Sequence, residues 1–550
     1  MSVDILFLNL TRFGDLLQSQ ALLEDCRRAG LRTGLVCLDN FAAALPLLRS
    51  LAEAWPLPGA EFLRRLDGKG PGRSWHDAPA LLLDFVGRLR QEAAPRHVVN
   101  LTATLPARLL ASLLAPSPEA VTGFALDREG FGLCRGNWAA YLCGTTLKRC
   151  NAPFNMQDMF RMAARPAVRA LGTAGTDTIP SPGGRLLPPS ETASAQAATL
   201  LAAAPEGCRG FVGLQLGASH PARQWPQSAF AQVGDGLWQA ARLCPVLLGA
   251  PAEKALARAY ARQARGPFLD AVGATTLPVL AALVARLRLL VTNDTGTMHL
   301  AAGLGIPSLA IFLATAQAWD TGPYLEGCCC LEPALPCHPC GFKQACSRDG
   351  GCAGHISPRT VLRLALGWLE SGRWDAGLDQ EIRQEARVWL TTREAAGGFA
   401  DLRCLSGHEH EDRSLWLRLQ RRFWQKLLDE MDGVSAASDV PALSSDILSA
   451  VKASGLARAQ LPVLREAAHF LAALPDQCRL AAAGHPRMGQ LLLRACDHIQ
   501  RLLESRDELA SLGYFWHEAR QAQGGDLQAL GGLAGTLARH LAELDRLLAS

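Results

Sequence analysis

Over the first two thirds of the chain, short apolar runs alternate with stretches whose apolar positions recur every three or four residues. Ile5–Leu8, Gly34–Leu38, His97–Leu101 and Ala120–Phe124 are the runs of a first series. Unbroken apolar runs of this length suit strands of a parallel sheet covered by helices on both faces. Between them, "LLQSQALLEDCRRAG" reads as a helix stopped by Gly30, and "NFAAALPLLRSL" as another helix. Gly172–Ser190, rich in Gly, Pro, Ser and Thr, reads as a linker. A second series follows in "GFVGLQLGAS", "CPVLLGAPAE", "RLLVTNDTGTMHLAA" and "PSLAIFLAT". Repeated βα units predict an α/β fold, and two such halves place a ligand in the cleft between them.

After about Leu369 the pattern reads as helix only. Trp416, Leu419, Phe423 and Leu427 share one helical face, as do Met488, Leu492, Ala495, Ile499 and Leu502. "DGVSAASDVPALSSD" and "GGDLQALGGLAG" read as loops within this tail. The expected organisation is a first domain over 1–175, a second over 190–370 with a Cys-rich stretch at 328–352, and a helical extension over 375–550.

Composition narrows the class without naming an activity. With 550 residues, 49% hydrophobic and 19% charged, the chain reads as a globular protein of two or three domains. A net charge of +4 gives no reason to expect nucleic acid. Most of the 17 cysteines sit singly in apolar contexts, as Cys37 and Cys244 do, which suits reduced thiols in a cytoplasmic protein. "MSVDILFLNL" lacks the basic start of a signal peptide, and no run reaches the roughly 20 apolar residues of a membrane span.

The stretch from Val291 to Phe312 carries the most chemistry. An apolar strand stops at Asn293-Asp294-Thr295-Gly296, and a helix with His299 in its first turn follows. A helix N-terminus at the carboxyl edge of a parallel sheet offers free N–H groups to an anion, commonly a phosphate. An ordinary turn capped by Thr295 fits that stretch equally well. Two further segments join it: "LNLTRFGDLLQSQALL", with a Gly-Asp pair after the first strand, and "GASHPARQWPQSAFAQV", with Arg223 two before Trp-Pro.

In order and separation these three segments resemble glycosyltransferase family 9, the ADP-heptose-dependent heptosyltransferases of lipopolysaccharide core synthesis. The resemblance spans residues 1 to 370 and leaves the tail unexplained. It implies a GT-B fold: two Rossmann-like parallel-sheet domains facing a cleft, acceptor domain first, with inverting transfer and no catalytic metal. Here a C-terminal all-helical extension follows.

Residue chemistry is compatible with that activity. Asp15, at a strand-to-helix turn, is the candidate base for the acceptor hydroxyl, or alternatively a helix cap. Arg223 supplies a cation for the leaving diphosphate. Thr295, Gly296 and Thr297 supply donors, and Gly296 has no Cβ to block close approach. His299 reads as a contact on the diphosphate side or as a buried histidine. Asp294 orders the loop or meets sugar hydroxyls, and Glu253 accepts from ribose hydroxyls or caps its helix. Departures from the family pattern are Arg223 in place of a lysine, Thr275-Thr276 in place of a methionine against the adenine, and Asn9 and Thr11-Arg12 in place of small serines.

Arg12 and the basic stretch "FLRRLDGKGPGR", with Arg64, Arg65 and Lys69, are the candidate acceptor contacts, the stretch having a solvated loop as its alternative. "RSLWLRLQRRFWQKLL" reads either as an interfacial membrane helix or as one docked on the catalytic core. Cys337, Cys340, Cys346 and Cys352 space four thiols as C-x₂-C-x₅-C-x₅-C, which suits a structural zinc or iron. Cys328, Cys329 and Cys330 read as buried or spare thiols. Some family members that glycosylate proteins carry a similar cluster, so lipopolysaccharide core and protein both stand as acceptors. The donor implied is an ADP-sugar. The implied location is cytoplasmic, with the inner face of the inner membrane and an oligomeric state left open. A non-catalytic sugar-nucleotide-binding scaffold is the remaining alternative.

Overall fold

The computed structural model describes residues 2–66, 77–173, 184–342, 345–394, 398–434 and 443–549. The first sheet holds β1 (Ile5–Leu8), β2 (Thr33–Leu38), β3 (Glu53–Leu57), β4 (His97–Asn100), β5 (Val121–Leu126) and β6 (Gly132–Arg135), in the order β3-β2-β1-β4-β5-β6. Its pairings are parallel except for β6, which runs antiparallel to β5. Every residue of β1 is buried, as its place in the middle of the sheet requires.

The second sheet comprises β7 (Gly210–Gln215), β8 (Leu243–Leu248), β9 (Leu269–Asp270), β10 (Leu287–Asn293), β11 (Ser308–Ile311), β12 (Cys329–Pro333), β13 (Ala386–Arg393) and β14 (Ala400–Cys404). Their order is β14-β13-β12-β11-β10-β7-β8-β9. β7 to β12 pair in parallel, and β13 and β14 extend the sheet as an antiparallel hairpin. Two Rossmann-like lobes thus face one another in a GT-B arrangement, followed by helices.

Three local readings need correcting. Residues after 369 are not helix only, because "ARVWLTTR" is rich in β-branched and aromatic side chains and pairs with β12. The helix expected in "NFAAALPLLRSL" is a 3-10 stretch, Asp39–Leu47, with Pro46 inside, where a missing N–H breaks α-helical bonding. Most of "GGDLQALGGLAG" lies in the helix Leu527–Ala549 instead of a loop. A Cβ on Gly531 would meet Pro475 Cα at 3.3 Å, so this glycine permits close packing on the helix Gly455–Ala482. Most of the expected linker core, and much of the first tail loop, fall outside the described residues.

The tail docks on the first lobe through aromatic rings. Trp138 stacks on Phe399 at 5.8 Å, Tyr141 meets Trp424 at 4.7 Å, and Trp424 meets Phe515 at 5.2 Å. On the helix Asp412–Met431, buried Arg421 donates to Glu394, to Pro153 O at 2.7 Å and to Ala400 O at 2.7 Å. This is the docked alternative of the two readings of that helix. Arg413, Arg418 and Arg421 all donate to other parts of the protein.

Candidate functional site

The carboxyl ends of β1, β7, β8 and β10 converge on a cavity of about 970 Å³ between the lobes. Asp15, Arg12, Gln18 and Arg149 line it from the first lobe; Arg223, Glu253, Asp294, Thr295, Gly296 and His299 line it from the second. Chain reversal at a strand end exposes the following turn, which is why these polar residues face the cleft.

Asp15 occupies the third position of the helix Phe13–Leu17 and accepts from Arg12 N at 3.3 Å. It both caps this helix and faces the cavity, so the two readings of the residue are compatible. Gly14 lies against the turn of the opposite lobe: a Cβ there would meet His299 Cδ2 at 3.0 Å and Gly296 Cα at 3.2 Å. Asp15 and Thr295, the N-cap of the helix Gly296–Leu304, flank that contact and line the same cavity.

Asn293 organises the second lobe. Its amide donates to Leu216 O at 3.0 Å and Gly217 O at 3.2 Å, while its oxygen accepts from Trp225 N at 3.0 Å. Trp225 is wholly buried and donates to Ile356 O at 3.0 Å. The segment carrying Arg223 is therefore fastened on both sides. Arg223 donates from Nε to Thr315 Oγ1 at 2.9 Å and pairs with Asp294 at 3.4 Å. Burial lowers the guanidinium's proton affinity, opposed by Asp294. Burial also raises the Asp294 carboxyl, opposed by Arg149 and Arg223.

Thr297 turns away from the cavity and donates to Gln215 Oε1 at 2.8 Å; Gln215 in turn donates to Glu253 at 3.5 Å. Glu253 also accepts from Ala250 N at 2.7 Å, so it caps its own turn while lining the wall. His299 is buried, with Nδ1 and Nε2 at 3.1 and 2.6 Å from Gln18 Nε2. Burial pushes its pKa down to about 4 against the pull of Asp15. It stands in the site as a neutral ring.

Of the acceptor candidates, Arg12 lines the cavity. Arg64 and Arg65 stand on the helix Gly59–Leu66, each paired with Glu61, at 2.8 and 3.0 Å, away from the cavity wall. Spacing of three and four residues satisfies them locally. Lys69 lies outside the described residues.

Cys340, Cys346 and Cys352 line the cavity, while Cys337 is exposed. Burial and the neighbouring Cys352, Cys337 and Cys346 raise the Cys340 thiol, whereas backbone N–H groups of Gly350 and Arg348 lower Cys346. The four thiols suit a soft metal in number and type. Among the described residues, however, the ligand atoms within 4.8 Å of one another are those of Cys134, Cys143 and Glu518, at the junction of β6 with the helix Ala510–Ala522. Cys328, Cys329 and Cys330 are buried, as expected.

The cavity also contains residues that no motif marks. Gln18 lies one helical turn beyond Asp15, a spacing that could have flagged it. Arg149, Thr315 and Phe342 had no local signal. Phe342 lies 5.9 Å from the Arg223 guanidinium and 6.0 Å from that of Arg149.

A sequence model of glycosyltransferase family 9 (heptosyltransferase) matches residues 180–349. No curated protein sequence matches the chain. Among solved structures, the chain is similar to a glycosyl transferase family 9 protein from Veillonella parvula, at 20% identity over 59% of this chain and 85% of that one, with a TM-score of 0.45. It is similar to the E. coli ADP-heptose LPS heptosyltransferase II at 19% identity, covering 68% of this chain and all of that one, with a TM-score of 0.46. A third is the E. coli heptosyltransferase WaaC with ADP, at 18% identity, 58% and 90% coverage, and a TM-score of 0.41.

Proposed function

Since a model of glycosyltransferase family 9 matches residues 180–349, we propose that the chain transfers a heptose or related sugar from an ADP-sugar to a hydroxyl of a lipopolysaccharide core acceptor, with inversion. The observation that carries this is Asp15 facing Arg223 and the Thr295-Gly296 turn across one cavity. The acceptor oxygen attacks the anomeric carbon as Asp15 takes its proton. The bond from that carbon to the diphosphate oxygen breaks, and its electron pair leaves with ADP. Arg223 and the N–H groups at the start of the helix Gly296–Leu304 stabilise the charge that develops on the diphosphate. None of these steps calls on a metal.

Asp294 is the partner Arg223 keeps in the structure as described. On this reading the diphosphate draws the guanidinium toward itself and frees Asp294 for sugar hydroxyls. Glu253, fixed by Gln215 and Ala250, is offered to the ribose. A lipid-linked acceptor would bring the enzyme to the inner face of the inner membrane as a peripheral protein; no described helix is long and apolar enough to cross a membrane.

A protein acceptor is the second reading, favoured by the cysteine-bearing wall of the cavity. A donor screen on the purified chain tests the first, scored by release of nucleoside diphosphate in the presence of lipopolysaccharide core or candidate protein acceptors. ADP-heptose should be consumed in preference to UDP- and GDP-sugars. Binding without turnover of any donor would leave the scaffold alternative.

A further inference from the structure

Arg149 belongs to the first lobe, yet its side chain is held from the second. Its Nε donates to Asp320 of the second lobe at 2.6 Å. Its backbone oxygen accepts from Gln317, which also donates to Ala152 O at 3.3 Å. Gln317 in turn accepts from Arg413 on the tail helix Asp412–Met431, and Arg413 reaches Cys150 O at 3.4 Å. On either side, Lys148 pairs with Asp507 at 2.5 Å and Asn151 donates to Asp507 O at 2.9 Å. So the turn from 148 to 152 is clasped by the second lobe and by two separate parts of the tail.

What this clasp presents is a cation in the cleft. Arg149 lines the cavity, and among the described residues its side-chain hydrogen bond is made by Nε, so neither terminal nitrogen is committed to a hydrogen bond there. Phe342 has the Arg149 and Arg223 guanidiniums at 6.0 and 5.9 Å from its ring. Each guanidinium keeps a carboxylate beside it, Asp320 for Arg149 and Asp294 for Arg223, and an anion in the cavity would meet a cation from each lobe.

We propose that Arg149 is a second contact for the donor's diphosphate, set opposite Arg223 and positioned by the C-terminal extension through Arg413 and Gln317. This rests on the sugar-nucleotide reading of the cleft. It gives the tail a role in donor binding: without the tail, the turn that carries Arg149 loses Arg413 and Asp507.

The test is calorimetric titration of the full-length protein with ADP and AMP. Arg149→Gln should weaken ADP by about tenfold or more, the scale of one charge-assisted hydrogen bond, and AMP much less. Arg149→Lys, which keeps the charge, should recover much of the loss and guards against a folding defect. Arg413→Gln should weaken ADP in the wild-type background but add little in the Arg149→Gln background, since it acts through that residue. Unchanged ADP affinity in Arg149→Gln would overturn the assignment, and fully additive losses would overturn the role of Arg413. Failure of the wild-type protein to bind any nucleoside diphosphate would instead overturn the reading on which both rest.

Discussion

Gly14 and Gly296 abut across the two lobes, with the Cβ position of Gly14 3.2 Å from Gly296 Cα and that of Gly296 3.3 Å from Gly14 N. The proposed base and the proposed phosphate turn are thus neighbours because neither contact residue has a side chain. A Cβ on Gly296 would also meet Phe13 Cδ1 at 2.7 Å. Gly296→Ala should therefore cost about 1–3 kcal/mol, the scale of an overpacked contact. It should also weaken ADP binding, since Asp15 and Thr295 move apart. Thermal melting and ADP titration check both effects; a variant with wild-type melting and affinity would show that the lobes do not close on this contact.

Asp15→Ala should leave ADP binding nearly intact and lower turnover by about 10²-fold or more, the usual scale for loss of a general base. Loss of the cap to Arg12 N adds a small stability cost of about 1 kcal/mol. Single-turnover transfer measured beside a melting curve separates the two. Near-normal transfer would remove Asp15 from the mechanism.

Arg223→Ala should weaken ADP by roughly 1.5–3 kcal/mol, and AMP, with one phosphate fewer, by less. Thr315 and Asp294 lose their partner as well, so Arg223→Lys, which restores charge but not the fork, should lie between. Equal losses for the two nucleotides would place this side chain away from the terminal phosphate.

Four thiols serving one structural ion should give about one zinc or iron per chain by elemental analysis. Replacing Cys337 and Cys340 together by serine should remove the metal and lower the melting temperature, because metal binding is coupled to local folding. Since Cys340 lines the cavity, some loss of donor affinity should accompany it. Metal-free protein with unchanged melting would identify these residues as plain reduced thiols.

His299 gives a pH signature. Its ordinary value is 6.5 and burial pushes it to about 4 in the folded protein. Between those values the unfolded chain holds the extra proton, so stability falls as pH drops from 6.5 toward 4 and levels off below. At about 1.36 kcal/mol per unit, the loss is on the order of 3 kcal/mol. Denaturant titrations across this range should be less pH-dependent in His299→Gln. An identical slope in that variant would mean that the acid sensitivity comes from other groups.

Much of this arrangement was legible in the sequence, and the exceptions have physical causes. β1, β2, β4, β5, β7, β8, β10 and β11 announce themselves as buried apolar runs. β3 does not, because an edge strand tolerates Glu53 and Pro56, which read as breakers. β13 and β14 sit among helices in the chain, and their pairing with β12 is long-range. In the cavity, residues following a strand end could be named from the motifs: Arg12, Asp15, Arg223, Glu253, Asp294, Thr295, Gly296 and His299 all line it. Thr297 follows Gly296 on its helix, with its side chain bonded to Gln215 and not lining the cavity. Arg149 could not be named, because its ion-pair partner is 171 residues distant and its surroundings come from three separate parts of the chain.

The aromatic contact between the first lobe and the tail also governs the order in which the protein can fold. Trp138, Tyr141 and Phe154 leave the ribosome well before Phe399 and Trp424, the rings that cover them, and before Phe515, which packs on Trp424. Synthesis proceeds at about 5–20 residues per second, so the gap lasts on the order of tens of seconds. Throughout it the first lobe displays an uncovered aromatic face. That face is what a chaperone would meet on the nascent chain, and it closes only when the chain as far as Trp424 has been made.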